Sequence, residues 1–223
     1  MILGGRYLKD MIYGANDGII TTFAIAAGVA GAQLSSSTVI LLGAANLFAD
    51  GFSMAVSNYL GSKSERDFQT REYDREKGKV LSLPPEEEQA EMEKLLVEEG
   101  YSVYDAQVLG PLIFKNKRFF ADIIMHEEFD EYAHLENNPL SHALATFGAF
   151  VAAGFIPITP FFFLGGFLES TIVTAGTLFL IGALRSLFTK RFWILSGLEM
   201  LFVGGIAASI AYGVGVFLKS FAF

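Results

Sequence analysis

The stretch STVILLGAANLFADGFSMAVSNYLGSKSERDFQTREYDREKGK (37–79) changes character once, near Leu60. Up to that point it is apolar for the length of a membrane-spanning helix, and beyond it charged residues dominate. Ser62–Lys79 reads as a charged helical continuation of the span, so the chain passes straight from lipid into an aqueous domain. Four more apolar stretches lie near 11–34, 139–164, 166–188 and 192–218, and with 36–60 they make five. Fifteen of the sixteen Lys and Arg fall in 1–10, 61–138 and 185–191, leaving Lys219 alone on the other side. Cytoplasmic segments attract this bias, which predicts an inside N-terminus, an inside 61–138 domain and an outside C-terminus. The fold expected is an all-α integral membrane protein with five transmembrane helices. A small helical cytoplasmic domain is inserted between spans 2 and 3. Residues 1–60 carry spans 1 and 2, and 139–223 carry spans 3 to 5.

Composition agrees with this division. Mean hydropathy is +0.43 and 52% of residues are hydrophobic, too apolar for an ordinary soluble domain. The opening MILGGRYLKD runs into an apolar stretch too long for a signal peptide, so no cleaved leader is expected. There is no cysteine, which removes disulfides, thiolate metal sites and cysteine nucleophiles together. Within 61–138, 5 Asp and 14 Glu face 10 Lys and Arg, a balance of −9. Such an acidic surface excludes nucleic acid as a partner.

Inside the insertion, Pro84-Pro85 is expected to end the charged helix and Glu86–Glu99 to form another, closed by Gly100. Asp105–Lys115 carries a weaker signal, and Phe119–Glu136 reads as a third helix. In the last block, Pro139 suits a first helical turn, and Pro157 with Pro160 predict a kink or an early end.

Ionisable groups inside spans point to function, because a charge in hydrocarbon costs roughly 2.5–3.5 kcal/mol even on a lenient scale. Asp17 stands in the first span and Asp50 in the second. Asn46, Asp50, Met54 and Asn58 recur every four residues along one helix face. Counted from the inner ends of the two apolar stretches, Asp17 and Met54 lie at one depth. A carboxylate and a thioether at one point suit Fe²⁺ better than Mg²⁺ or Ca²⁺. The bland readings are that Met54 packs and Asp17 caps a helix or bonds a neighbour. Gly14, Gly18, Ala24, Gly28 and Ala32 give the first span a small-residue stripe. That stripe serves either another span of the chain or the same span of a second copy.

YGANDGIITTFAIAAGVAGA (13–32) and AANLFADGFSMAVSNYLGSKSE (44–65) resemble the vacuolar iron transporter family. FVAAGFIPITPFF (150–162) and GGIAASIAYGVG (204–215) extend the likeness over essentially the whole chain. The resemblance implies five spans, a homodimer, a path between subunits and export of cytosolic Fe²⁺ in exchange for protons. No cofactor is held permanently: Fe²⁺ or Mn²⁺ is cargo. The membrane would be vacuolar in a eukaryote and the cell membrane in a prokaryote. The family's path-lining aspartate and methionine fall on Asp17 and Met54. Its cytoplasmic metal-binding residues fall on Glu76, Glu88, Glu91, Met125 and Glu128. Departures also stand out. Asn46 replaces a glutamate, for which Asp50 can substitute. Lys79 stands at the place of another glutamate, and Ile124 at that of a methionine, so Mn²⁺ becomes a competitor for the cytoplasmic site.

A second class of function is a membrane-tethered iron-binding or ferroxidase-like carboxylate protein. Glu131-Tyr132-Ala133-His134 has the Glu-x-x-His spacing of di-iron bundles. One such motif and three cytoplasmic helices fall short of that architecture. A purely structural scaffold would leave Asp17, Asp50 and Met54 unexplained.

Overall fold

The computed structural model describes residues 7–82, 84–128, 138–163, 165–189 and 191–222. Among these every regular element is helical. The chain divides into two compact units, 1–60 with 138–223, and 61–137.

In the first unit, α1 (Leu8–Gly31) is the central helix. It packs against α6 (Pro139–Gly154), α8 (Phe167–Thr189) and α9 (Trp193–Ala222), and its buried residues run from Gly14 to Gly31. α2 (Ser36–Ser82) contributes its part up to Leu60. Among the described residues four helices are long and apolar enough to cross a membrane: α2, α6 continued to Phe162, α8 and α9. α1, with 24 residues, has the length but not the apolarity, since Asn16, Asp17 and a run of Gly and Thr dilute it. Its buried face lies against these neighbours, while Asn16 and Asp17 are half-buried. The outer helices show the opposite pattern. Leu180, Leu184, Phe202, Ile210 and Phe217 are all exposed, a belt that only lipid or another apolar surface would cover.

Glycine sets how closely α1 is held. A Cβ on Gly14 would strike the Thr146 carbonyl oxygen, and one on Gly18 that of Phe150, both on α6. Gly31 and Gly215 make the equivalent approach between α1 and α9. Gly14, Gly18 and Gly28 therefore meet α6 and α9 of the same chain. Of the two readings of the stripe, these glycines follow the first, contact with other spans of the same chain.

α6 stops at Gly154, and a 3₁₀ turn over Ile156–Ile158 leads into the short α7 (Thr159–Phe162). Pro157 lies within that turn, so the proline pair reshapes the span without ending it. At the next turn Glu169 Oε2 accepts a 2.7 Å bond from the Gly166 N–H and caps α8. Arg185 on α8 reaches Glu199 on α9 at 3.1 Å, which satisfies Glu199 as a structural group. Lys219 Nζ donates to Gln33 Oε1, joining the end of α9 to the α1–α2 turn.

The second unit holds the rest of α2 with α3 (Pro85–Glu98), α4 (Val103–Phe114) and α5 (Lys117–Glu128). Its core is Met92, Leu96, Ala106, Phe120 and Ala121, with Tyr73 packed against it. α3 gives way to a turn with Gly100 at φ 98°, a left-handed conformation that favours glycine. α4 is a full helix over a stretch whose helical signal is weak. Ser102 caps it by accepting from the Asp105 N–H, and Ala106 and Gly110 are buried, so packing outweighs Pro111. With α4 the described residues of the unit form four helical segments where three were expected. Lys77 bonds Asp122 at 2.5 Å, and that bond raises the Lys77 pKa.

Candidate metal site in the membrane unit

Two antiparallel helices carry the candidate residues. At one end Asn58 Nδ2, on α2, donates to Asp10 Oδ1, on α1, at 2.8 Å. Toward the other end Phe23, Ala26 and Val29 pack with Val39. The Asp10–Asn58 bond fixes the register. Counting inward from it, Asp17 lies about two turns along α1, Asp50 about two turns along α2, and Met54 about one. Asp50 is thus level with Asp17, and the two are near enough to interact electrostatically.

Met54 sits one turn closer to the Asp10 end, packed against the cluster of Leu47, Phe150 and Ile158. It lines a cavity of about 430 Å³ with Lys9, Asp10, Tyr13, Ser53, Ser57 and Asn58. The expected depth match between Asp17 and Met54 is therefore off by roughly 4.5 Å. The apolar stretches at 11 and 60 did not mark where the helices meet: Asn58, not Leu60, stands across from Asp10.

Both carboxylates are half-buried. Among the described residues neither bonds another side chain, while Thr21 Oγ1 donates to the Asp17 backbone carbonyl at 2.8 Å. Polar atoms nearby also lack protein partners: Asn16 Oδ1, beside Asp17, and Asn46 Nδ2, one turn from Asp50, are buried and unbonded. Each such atom costs about 1–3 kcal/mol if it stays unpaired. Among the described residues no three His, Asp or Glu side chains converge as metal ligands. Asp17 and Asp50 supply two carboxylates at one level of the two helices.

Three residues escaped the sequence reading as a group. His142, on α6, is 2% exposed, and its Nδ1 lies 2.6 Å from Asp10 Oδ2. Asn58 Nδ2 also bonds Thr146 Oγ1 at 2.7 Å, so Asp10, Asn58 and His142 tie α1, α2 and α6 together. The available signal was that an acid and a histidine each open a span on the same side.

The candidates expected in 61–138 lie on the second unit's helices: Glu76 on α2, Glu88 and Glu91 on α3, Met125 and Glu128 on α5. Glu91 is half-buried, while the side chains of Glu76, Glu88, Met125 and Glu128 lie outside the described residues. The Glu131–His134 motif lies outside them as well.

The profile of the VIT family matches residues 8–216. The chain belongs to the VIT family. Its relatives include the protein named vacuolar iron transporter of Toxoplasma gondii, 38% identical over 96% of this chain and 74% of the relative. The one of Plasmodium falciparum is 36% identical over 96% and 82%. Vacuolar iron transporter 1 of Arabidopsis thaliana is 32% identical over 93% and 84%. The names are those of transporters and not of enzymes, in keeping with the reading of this VIT-family chain as a non-enzyme. The match begins at Leu8 and so takes in Asp10, Asp17 and all of α1, the helix that the apolarity of its neighbours would leave out.

Proposed function

We propose that the protein moves Fe²⁺, with Mn²⁺ as a competing cargo, out of the cytosol in exchange for protons. The observation that carries this reading is the level pair of carboxylates, Asp17 and Asp50, inside the membrane unit of a chain whose relatives are named iron transporters. Two carboxylates offset the charge of a divalent ion in a poorly solvated path, and either can take a proton when the metal leaves. α1 is the fifth span, since its length of 24 residues exceeds what the hydrocarbon core needs. The bias of the basic residues supports a cytosolic 61–137 unit, whose acidic surface collects metal through Glu76, Glu88, Glu91, Met125 and Glu128.

The path runs between two copies. One copy offers two carboxylates and, a turn away, the Met54 thioether, which is too few for an octahedral shell. The α2 side chains Leu41, Phe48 and Phe52 are exposed, so a second copy covering that face would close the site and double its ligands. Flux measurements on purified protein in vesicles test the whole reading. External Fe²⁺ should enter the lumen of those vesicles whose protein exposes its cytosolic face, with opposite movement of protons on an internal pH dye. Metal flux with no proton response would leave a uniporter, and no metal flux at all would end the transport reading.

A further inference from the structure

The clasp around Asp10 is more elaborate than helix pairing requires. His142 is buried, and Tyr7 covers it with ring centroids 4.8 Å apart. Its Nδ1 holds one oxygen of Asp10 at 2.6 Å, and Asn58 Nδ2 holds the other at 2.8 Å. Thr146 Oγ1 accepts from Asn58 and donates to the His142 carbonyl at 3.0 Å, closing the ring of bonds. The Asp10 side chain nevertheless keeps 14% exposure, because it also walls the cavity that holds Met54, Tyr13, Ser53 and Ser57. A carboxylate has about four lone-pair positions, so two hydrogen bonds orient it and leave capacity toward the cavity.

Lys9 lines the same cavity. It is the cation that would neutralise Asp10 if the carboxylate were free to turn. Asp10 is the carboxylate of this cavity and Met54 its thioether. Besides His142, the ionisable groups around Asp10 are Tyr7, which precedes α1, and Lys9 and Tyr13 on α1, while α2 and α6 present the uncharged Asn58, Ser57 and Thr146.

We propose that His142 is a positioning residue for metal entry: with Asn58 it holds the Asp10 carboxylate toward the Met54 cavity and away from Lys9, so that a divalent cation meets there a carboxylate that the lysine does not cover. This rests on the transport reading above. It adds an entry point one to two turns before the Asp17–Asp50 level and assigns work to a histidine that the transport reading leaves idle. Outer-shell partners that orient a ligating carboxylate are worth about 10–100-fold in metal affinity.

The test is initial-rate Fe²⁺ flux in vesicles, resolved into KM and maximal rate, on four full-length variants. His142→Leu should raise KM about tenfold, the lower end of that range, with the maximal rate of the folded fraction preserved. His142→Asn, whose amide can take the place of the Nδ1 donor, should stay near wild type. Adding Lys9→Ala to His142→Leu should bring KM back, because the competing cation is gone. Asn58→Leu removes the other donor, should raise KM in the same way, and stands in if His142→Leu does not fold. A merely structural histidine would lower the folded fraction without moving KM, and Lys9→Ala would rescue nothing. That result, or unchanged KM in both donor variants, overturns the proposal while wild-type flux keeps the transport reading intact. Absence of metal flux in the wild type ends both.

Discussion

At the scale of single residues, the decisive fact is which side chains share a level. Asp17 and Asp50 face one another's charge, whereas Met54 keeps company with Asp10. Asp17→Asn keeps the shape and removes the charge that offsets desolvation of a divalent ion, so metal flux should fall to background while the protein stays folded. Met54→Leu keeps volume and loses the sulfur, and should slow Fe²⁺ more than Mn²⁺, since the softer ligand favours Fe²⁺. Equal losses for the two metals would make Met54 a packing residue. Asp50→Asn should let metal run downhill but blunt the response to an imposed proton gradient, because Asn46 cannot titrate in its place. A mutant with the wild-type gradient response would leave the coupling to Asp17. Asp17, Asp50 and Met54 were legible from the sequence because charge and sulfur are rare in a span. Their relative levels were not, since a hydrogen bond between Asp10 and Asn58 sets them, and apolar stretches do not report such bonds.

At the scale of elements, α1 is held by backbone contact at its glycines, as α8 is held on α9 at Gly182. Gly18→Leu would drive a side chain into the Phe150 carbonyl and push α1 off α6. It should destabilise the protein by about 3 kcal/mol, at the upper end of overpacking, and a lower melting temperature in detergent checks this. The same substitution at Gly148 or Gly205, where a Cβ meets nothing within 4 Å, should cost far less. Equal losses would show that helix propensity, not contact, governs these sites. The periodic small residues were visible in the sequence, but the partner they meet was not. A Gly-x-x-x-Gly pattern states that something comes close and leaves open what it is. α4 escaped for a related reason: burial of Ala106 and Gly110 supports a helix that propensity around Pro111 would not recommend.

At the scale of the whole molecule, charge and apolarity are separated along the chain, with a −9 balance in 61–138 and a membrane unit that carries only five acids. If the acidic unit gathers metal, full-length protein in detergent should bind divalent ions at more sites than the Asp17 level provides. Replacing Glu88 and Glu91 by Ala should reduce that stoichiometry. Calorimetry giving the same stoichiometry and affinity for both proteins would reduce the two glutamates to a solvated face of α3. The central position of α1 has one more consequence, for how the protein is made. α1 leaves the ribosome first, yet the grooves that receive its backbone, on α6 and α9, are synthesised only after all of 61–137. Until then a helix with Asn16 and Asp17 in its middle has no partner except α2, and charged residues at a helix centre cost about 3 kcal/mol on insertion. A nascent chain halted at residue 82 should therefore release α1 from the bilayer in a fraction of molecules, and one extended through α9 should recapture it. An N-terminal modification site that reports which side of the membrane Tyr7 occupies would measure that exchange directly.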